Sequence, residues 1–307
     1  MSRYVRRALY CGLWLVAALA VVAVFLVGGC GMSTGGGDSA SPTAMQQPIG
    51  PAAPPAARAA QPGVPEPVEQ GVQIAVFLRP VAGEFEKASL SFESVSLLRV
   101  QGKPVDLKAA SPEEVKRDGY GLVGSGGVPD GKYEGLILHP IKRAESQTLT
   151  VTEGHRAVPV RMPESLELKF EPVEVNAGNH PALVVTLDLA DQKPRRDVEI
   201  TAQLFKAGPL SEKQAGELKG QVAPPASLAR VYACWAKTGA VVAMTQADAF
   251  GGDYALPGLA PGEYYVRVSA AGHQTYQEPN RPVTVTPGRT VDLPAVVLSS
   301  AQVAGSR

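Results

Sequence analysis

The sequence predicts an all-β protein: two antiparallel β-sandwich-like domains, 71–206 and 216–300, joined by a linker at 207–215 and preceded by a leader, 1–29, and a disordered tether, 30–70. Three observations carry this reading. From Gly71 onward, apolar residues recur at every second position, the period of a strand with one buried face. Pro and Gly interrupt these runs at short intervals, as turns between strands require. No stretch places strand, glycine loop and helix in the order of a βαβ unit, so a nucleotide-binding α/β sheet does not fit.

The leader is MSRYVRRALYCGLWLVAALAVVAVFLVGGC, in which Arg3, Arg6 and Arg7 precede an uninterrupted apolar run from Ala8 to Val27. Positive charge resists translocation while the apolar run partitions into the bilayer, so the rest of the chain is expected beyond the inner membrane. The run ends in Val27, Gly28, Gly29 and Cys30, which resembles the lipobox of bacterial lipoprotein signal peptides. That resemblance implies cleavage before Cys30 and lipid attachment to its sulfur. Gly31 stands where lipoproteins retained in the inner membrane often carry Asp, so it implies the outer membrane in a cell that has one. The alternative is an uncleaved N-terminal helix in the inner membrane, because about 20 apolar residues suffice to span a bilayer.

Between Gly31 and Gln70 the chain is dominated by Gly, Ser, Pro, Ala and Gln, and it cannot bury enough apolar surface to offset its ordering entropy. As a tether it would reach between about 35 Å as a coil and about 120 Å as continuous polyproline II. Loss of three basic residues with the leader shifts the formal net charge from zero to minus three. That small negative balance does not suit a nucleic acid or another polyanion as partner. The three cysteines leave no disulfide framework, since Cys11 goes with the leader and Cys30 carries the lipid. Cys234, in RVYACWAK, is expected to be a buried, inert thiol.

In the first domain, VQIAVFL places Val72, Ile74, Val76 and Leu78 on one face, and SLELKF does the same with Leu166, Leu168 and Phe170. One short helix is expected in SPEEVKRDG, with Ser111 as cap, Pro112 at the first helical position, Glu114 completing a capping box and Gly119 as the stop. LVGSGGVPDG, around Ser125, reads as a glycine-rich loop and lacks the Gly-x-Ser-x-Gly order of a hydrolase elbow. The polar stretch AGPLSEKQAG then leads to a second strand series: ELKGQV, ARVYACWA, AVVAMTQ, DYAL, EYYVRVSA, PVTVT and TVDLPAVVL.

PGEYYVRVSAAGH, from Pro261, has an echo in PDGKYEGLILHP, from Pro129: each sets a proline-glycine turn two residues before a tyrosine that opens an apolar run. Neither copy offers a nucleophile with a base, so the echo is expected to be architectural. The second copy lies in DYALPGLAPGEYYVRVSAAGH, which, with GQV and ARVYACWA before it and VTVTPGRTVDLPAVVL after it, resembles the carboxypeptidase regulatory-like domain. The resemblance implies a transthyretin-like seven-strand sandwich. Two positions depart from the family pattern: Phe250 stands where a polar turn residue is expected, and His273 where an aromatic is. The first domain resembles an uncharacterised domain of bacterial envelope lipoproteins, through VPDGKYEGLILHP, EGHRAVPVRMPESLELKFEPVEVNAG and ALVVTLDLADQ. Its LRPVAGEF replaces the Thr-Asp-Ala-Pro turn of that family, which implies an extracytoplasmic β-fold and no chemistry.

No catalytic group, cofactor or metal is expected. His139, His155, His180 and His273 lack a glutamate three residues on, so the His-x-x-Glu pair of zinc carboxypeptidases is missing. Asp188 and Asp191 point opposite ways in a continuing strand, and KPRRD, 193–197, reads as a solvated hairpin. Among the aromatics, Tyr232, Trp235, Tyr254 and Tyr264 read as core. Tyr265 and Tyr276 are the candidates for an exposed surface that stacks on a sugar or peptide. The expectation is a non-enzymatic, lipid-anchored envelope protein acting as a binding or assembly module, its partner an envelope protein or a glycan. The alternative is a surface adhesin or glycan-binding lipoprotein.

Overall fold

The computed structural model describes residues 71–300, apart from 82, 143–146, 178, 195 and 278–280. The leader, Cys30 and the tether lie outside the described residues. The first domain comprises β1 (Val72–Val81), β2 (Phe85–Ser89), β3 (Phe92–Arg99), β4 (Val105–Ala109), β5 (Glu114–Lys116), β6 (Gly121–Val128), β7 (Gly131–Pro140), β8 (Thr148–Val151), β9 (Ala157–Arg161), β10 (Leu166–Val175), β11 (Leu183–Asp188), β12 (Val198–Glu199) and β13 (Phe205–Pro209). The second comprises β14 (Gly216–Ala223), β15 (Arg230–Trp235), β16 (Val241–Gln246), β17 (Asp253–Leu259), β18 (Gly262–Ser269), β19 (Tyr276–Gln277), β20 (Val283–Val285), β21 (Thr290–Asp292) and β22 (Val296–Val297).

The strands form two pairs of packed sheets, in an all-β architecture as expected. In the first, the sheet β10-β7-β3-β4-β6-β1-β11-β13 lies over β12-β9-β8-β2-β5. Val72, Ile74, Val76 and Leu78 enter the core between them, with Leu166 and Leu168 and with Phe170 at its margin. In the second, β17-β14-β21 packs on β16-β15-β18-β19, with β20 and β22 extending them. Strand β1 differs from the simple one-faced pattern. Its other face carries Ala75 and Phe77, which are also buried, but in the core of the second domain. A strand covered on both sides reads as a continuous apolar run, and VQIAVFL is one.

Four expectations are corrected. The pairing is not wholly antiparallel: β1 pairs β11, β9 pairs β12, and β14 pairs both β21 and β22 in parallel. These pairs bring together segments far apart in the chain, which local alternation does not encode. The segment 111–119 is not a helix. Val115 is inserted into the core from β5, and Lys87 and Ser89 of β2 pair with Lys116 and Glu114, so tertiary burial overrides the capping signals. Ser125 is not in a loop: it lies within β6, buried, opposite Ala75 on one side and Lys108 on the other. Glycine has a low strand propensity, but it lets the neighbouring strands close in at that point. Finally, the stretch 207–215 is not a free linker. Its first residues belong to β13, which pairs β11, and Leu210 and Ala215 are buried in the second core.

The turn echoed in sequence is the same device in both domains. The Tyr133 hydroxyl donates to the Pro129 carbonyl at 2.7 Å and the Tyr264 hydroxyl donates to the Ala260 carbonyl at 2.5 Å, each four residues back. Gly131 and Gly262 take matching φ angles of +156° and +158°. Such a tyrosine corner pins the turn to the strand it opens and so fixes register. At the second corner a side chain is also sterically excluded, because a Cβ on Gly262 would run into the Trp235 ring. Burial pushes both phenols up from their usual range, so they remain donors.

We expect Tyr264→Phe to destabilise the protein by about 1–3 kcal/mol, since it strands a buried carbonyl. Tyr265→Phe, at a half-buried position, should change stability by less than about 0.5 kcal/mol. Urea unfolding of the two variants checks this, and equal effects would refute the architectural role.

Candidate functional site at the domain junction

The two domains meet around Trp235, the last residue of β15. Its ring packs edge-to-face against Phe77 of β1 and Tyr264 of β18, with centroids at 5.2 Å in each case. The indole N–H donates to Glu113 Oε2 at 3.2 Å, across 122 residues of sequence. Glu113 Oε1 accepts the Leu122 backbone N–H at 3.2 Å and lies 3.5 Å from the Lys237 ammonium. This carboxylate has only 10% of its side-chain surface exposed, and these three groups supply its charge and hydrogen-bond partners. Alongside, the Gln73 side-chain amide donates to the Val241 carbonyl at 3.0 Å. Ala75, Phe77, Leu122, Ala182 and Val184 of the first domain share one core cluster with Leu218, Trp235 and Val242 of the second.

Beside this junction lies a groove of about 490 Å³, lined from both domains and from the connector, by Pro181, Leu210, Ala215 and Pro257 among others. His180 and Arg289 also line it. The His180 Nε2 is buried and has no hydrogen-bond partner among the described residues. Burial lowers the His180 pKa from its usual value, which keeps the imidazole neutral near pH 7. Glu217, a further lining residue, is held by the Thr290 hydroxyl at 2.9 Å and by Lys219 at 3.0 Å.

The residues singled out from sequence do not converge here. Tyr265 is half-buried on the outer face of β18, opposite Cys234 in the β15 register. Tyr276 is half-buried in β19 and packs at the margin of the second core. Tyr232, Trp235, Tyr254 and Tyr264 are buried, and burial pushes the Tyr254 phenol up to about 12. Cys234 is buried too, and burial raises its thiol pKa, in keeping with an inert sulfur. The histidines are scattered: His155 Nδ1 lies 2.8 Å from Glu86, His273 Nδ1 lies 3.0 Å from the Ala271 carbonyl, and only His180 faces the groove. Asp188 accepts the Ala190 N–H at 3.1 Å, and Asp197 of KPRRD pairs Arg161 at 2.8 Å. Among the described residues no three His, Cys, Asp or Glu side chains cluster as metal ligands, and no helix is long and apolar enough to cross a membrane.

Sequence reasoning passed over Glu113, Gln73, Phe77 and the groove. Only Phe77 left a local signal, as the largest of three apolar residues of the wrong parity in β1, with Ala75 and Val81.

No family model matches the chain, and no curated protein sequence does. The solved structures to which it is similar include the Bacillus anthracis TIE protein, at 14% identity and a TM-score of 0.23 over 75% of this chain and 35% of that one. Others are a streptococcal ancillary pilin, at 11% and 0.22 over 75% and 63%, and BcpA, the major pilin subunit of Bacillus cereus, at 11% and 0.22 over 75% and 70%. The chain thus spans about a third of the length of the first and less than two thirds of the second. Superpositions this loose transfer neither a site nor a partner, so the functional reading rests on the chain's own residues.

Two outcomes are expected at the junction. Glu113→Ala leaves the indole N–H and the Leu122 N–H unpaired, and should cost about 1–3 kcal/mol. Trp235 is the only tryptophan among the described residues, so tryptophan fluorescence should shift to the red in the same variant. An unchanged spectrum and melting temperature would exclude the junction as a stabilising contact. For His180 the folded pKa lies below that of the unfolded chain, so the unfolded state takes up the proton first. Its contribution is complete above about pH 6.5 and is lost as pH falls below that. His180→Gln should therefore flatten the acid side of the stability profile relative to the parent, and parallel profiles would refute this.

Proposed function

We propose that this protein is a non-enzymatic envelope protein in which the two-domain β body serves as a binding or assembly module on a lipid-anchored tether. The observation that carries the reading is the junction around Trp235. One face of the first sandwich enters the core of the second, and the largely buried Glu113 bonds Trp235 beside it, which makes their relative placement fixed. A stiff body of this kind presents surfaces at set positions, which suits docking with other macromolecules. Cys30 in VGGC is the proposed lipid attachment site, and the outer membrane the proposed destination in a cell that has one. The proposed partner is another envelope protein. A glycan platform on Tyr265 and Tyr276 gains less support, because both rings are half-buried and Tyr276 leans on the core.

In cells fed labelled palmitate, the mature chain should carry label and lack residues 1–29, and Cys30→Ala should abolish both. An unlabelled chain that retains Met1 would point to the uncleaved N-terminal helix. Crosslinking in the same cells should capture protein partners on the β body, and a chain that captures none would refute the assembly role.

A further inference from the structure

The second domain has a different character at its two ends. Its Gly216, Trp235 and Leu259 end faces the first domain, and its Ala223, Arg230 and Asp253 end points away along the same strands. At that far end the turn between β16 and β17 holds Phe250 at 93% exposure. The turn is well ordered. The Asp248 carboxylate accepts the N–H groups of Phe250 at 2.9 Å and Gly251 at 2.6 Å, and the Gln221 amide donates to the Gly251 carbonyl at 2.8 Å. Two further backbone bonds, Gly252 to Asp248 at 2.9 Å and Asp248 to Asp253 at 2.8 Å, close it. The turn that carries the exposed ring is thus held in place by its own hydrogen bonds.

Phe250 has company. Leu228 is 52% exposed and Val297 72%, and both belong to the same end. The Ala247 N–H bonds the Ala229 carbonyl, which brings the two turns together, while Val297 pairs Ala223 at the end of β14. Of the four exposed large hydrophobics among the described residues, three therefore gather at this tip. Single exposed apolar residues need no explanation, whereas a group on one ordered end marks a contact surface.

The groove beside the junction lies at the other end of the same two strands. Glu217 of β14 and Pro257 and Gly258 of β17 line it, while Gln221 and Asp253 of those strands support the tip. Its lining is mixed, and Pro181, Leu210, Ala215 and Pro257 with a volume of about 490 Å³ leave room for a phenyl ring. One charge in the groove is complementary. Asp248 and Asp253 flank Phe250, and Arg289, exposed at the groove, has no carboxylate within salt-bridge distance among the described residues. Glu212 shares the groove, but Glu217 is already held by Lys219. Two carboxylates beside the ring argue against insertion into a bilayer, whose surface would have to desolvate them.

We propose that Phe250 of one copy docks in the junction groove of a second copy of this chain, with Asp248 and Asp253 facing Arg289. Because knob and groove are different surfaces at opposite ends of one domain, the contact is heterologous and propagates head to tail. This deepens the assembly reading above and rests on it.

The test is sedimentation of the full chain in detergent over a range of concentrations, with cysteine crosslinking in native membranes. Association should rise with concentration, and Phe250→Asp and Arg289→Glu should each weaken it about tenfold or more with melting unchanged. Phe250→Leu should retain most of it. Copies carrying Phe250→Cys should form disulfides with copies carrying Pro257→Cys on oxidation, giving a ladder of sizes. A chain that stays monomeric throughout, or associates equally well as Phe250→Asp, overturns self-docking. So does binding to phosphatidylethanolamine–phosphatidylglycerol vesicles that Phe250→Asp abolishes, which would make the tip a membrane contact. Capture of a different protein in cells by a chain that is monomeric when purified would leave the assembly reading standing and end this one.

Discussion

The indole of Trp235 touches both domains at once, and much of the surrounding structure follows from accommodating it. Its ring needs apolar partners on two sides, which Phe77 and Tyr264 supply, and its N–H needs an acceptor, which Glu113 supplies. Aromatic pairs contribute about 0.5–1.5 kcal/mol beyond their burial, and a hydrogen bond to a charged group about 1.5–3 kcal/mol. Against a total stability of about 5–15 kcal/mol, that is a substantial share concentrated on one residue. The constraint propagates outward. Position 262 has to lack a side chain because the ring occupies that space. The segment around Glu113 has to be extended, so that Val115 reaches one core while Glu113 reaches the other.

That double demand explains which parts of the fold were legible in the sequence. β3, β7 and β10 alternate over short stretches, which marks them as strands, although each changes parity at a shift in register that alternation does not show. The segment 111–119 reads as a helix because its Ser, Pro, Glu and Gly fit a helix N-terminus and stop, while the partner that wins, Trp235, is more than a hundred residues away. Ser125 was misread for the opposite reason: its flanking glycines suggest a loop, and only the closeness of β1 and β4 shows that a strand passes there. Parallel pairing of β1 with β11 joins segments about a hundred residues apart, with most of the first domain between them. The groove was illegible throughout, being formed by four segments that no spacing rule connects.

The echoed turns show the converse case, in which a local motif has a local cause. A tyrosine two residues after the glycine can reach back four residues to a carbonyl whatever the rest of the chain does, and it does so in both domains. Their surroundings then diverge. Tyr133 sits under the Arg99 guanidinium, 6.0 Å from its ring centroid, whereas Tyr264 abuts Trp235. The same corner therefore finishes one domain on its own, and in the other helps build the junction.

The junction also changes what the connector is. A free linker would let the second domain reorient, and its composition, AGPLSEKQAG, suggests one. Instead β13 is paired into the first sheet and Leu210 and Ala215 are buried against the second domain, so both ends of the connector are anchored. Its polar middle is left to arch over the groove, where Glu212 lines the wall. Cutting the chain there would not release two complete domains, because each would expose the apolar surface that the other now covers: Phe77, Leu122 and Val184 on one side, Trp235 and Val242 on the other. The first domain thus completes the second, and the groove exists only because the two are held together.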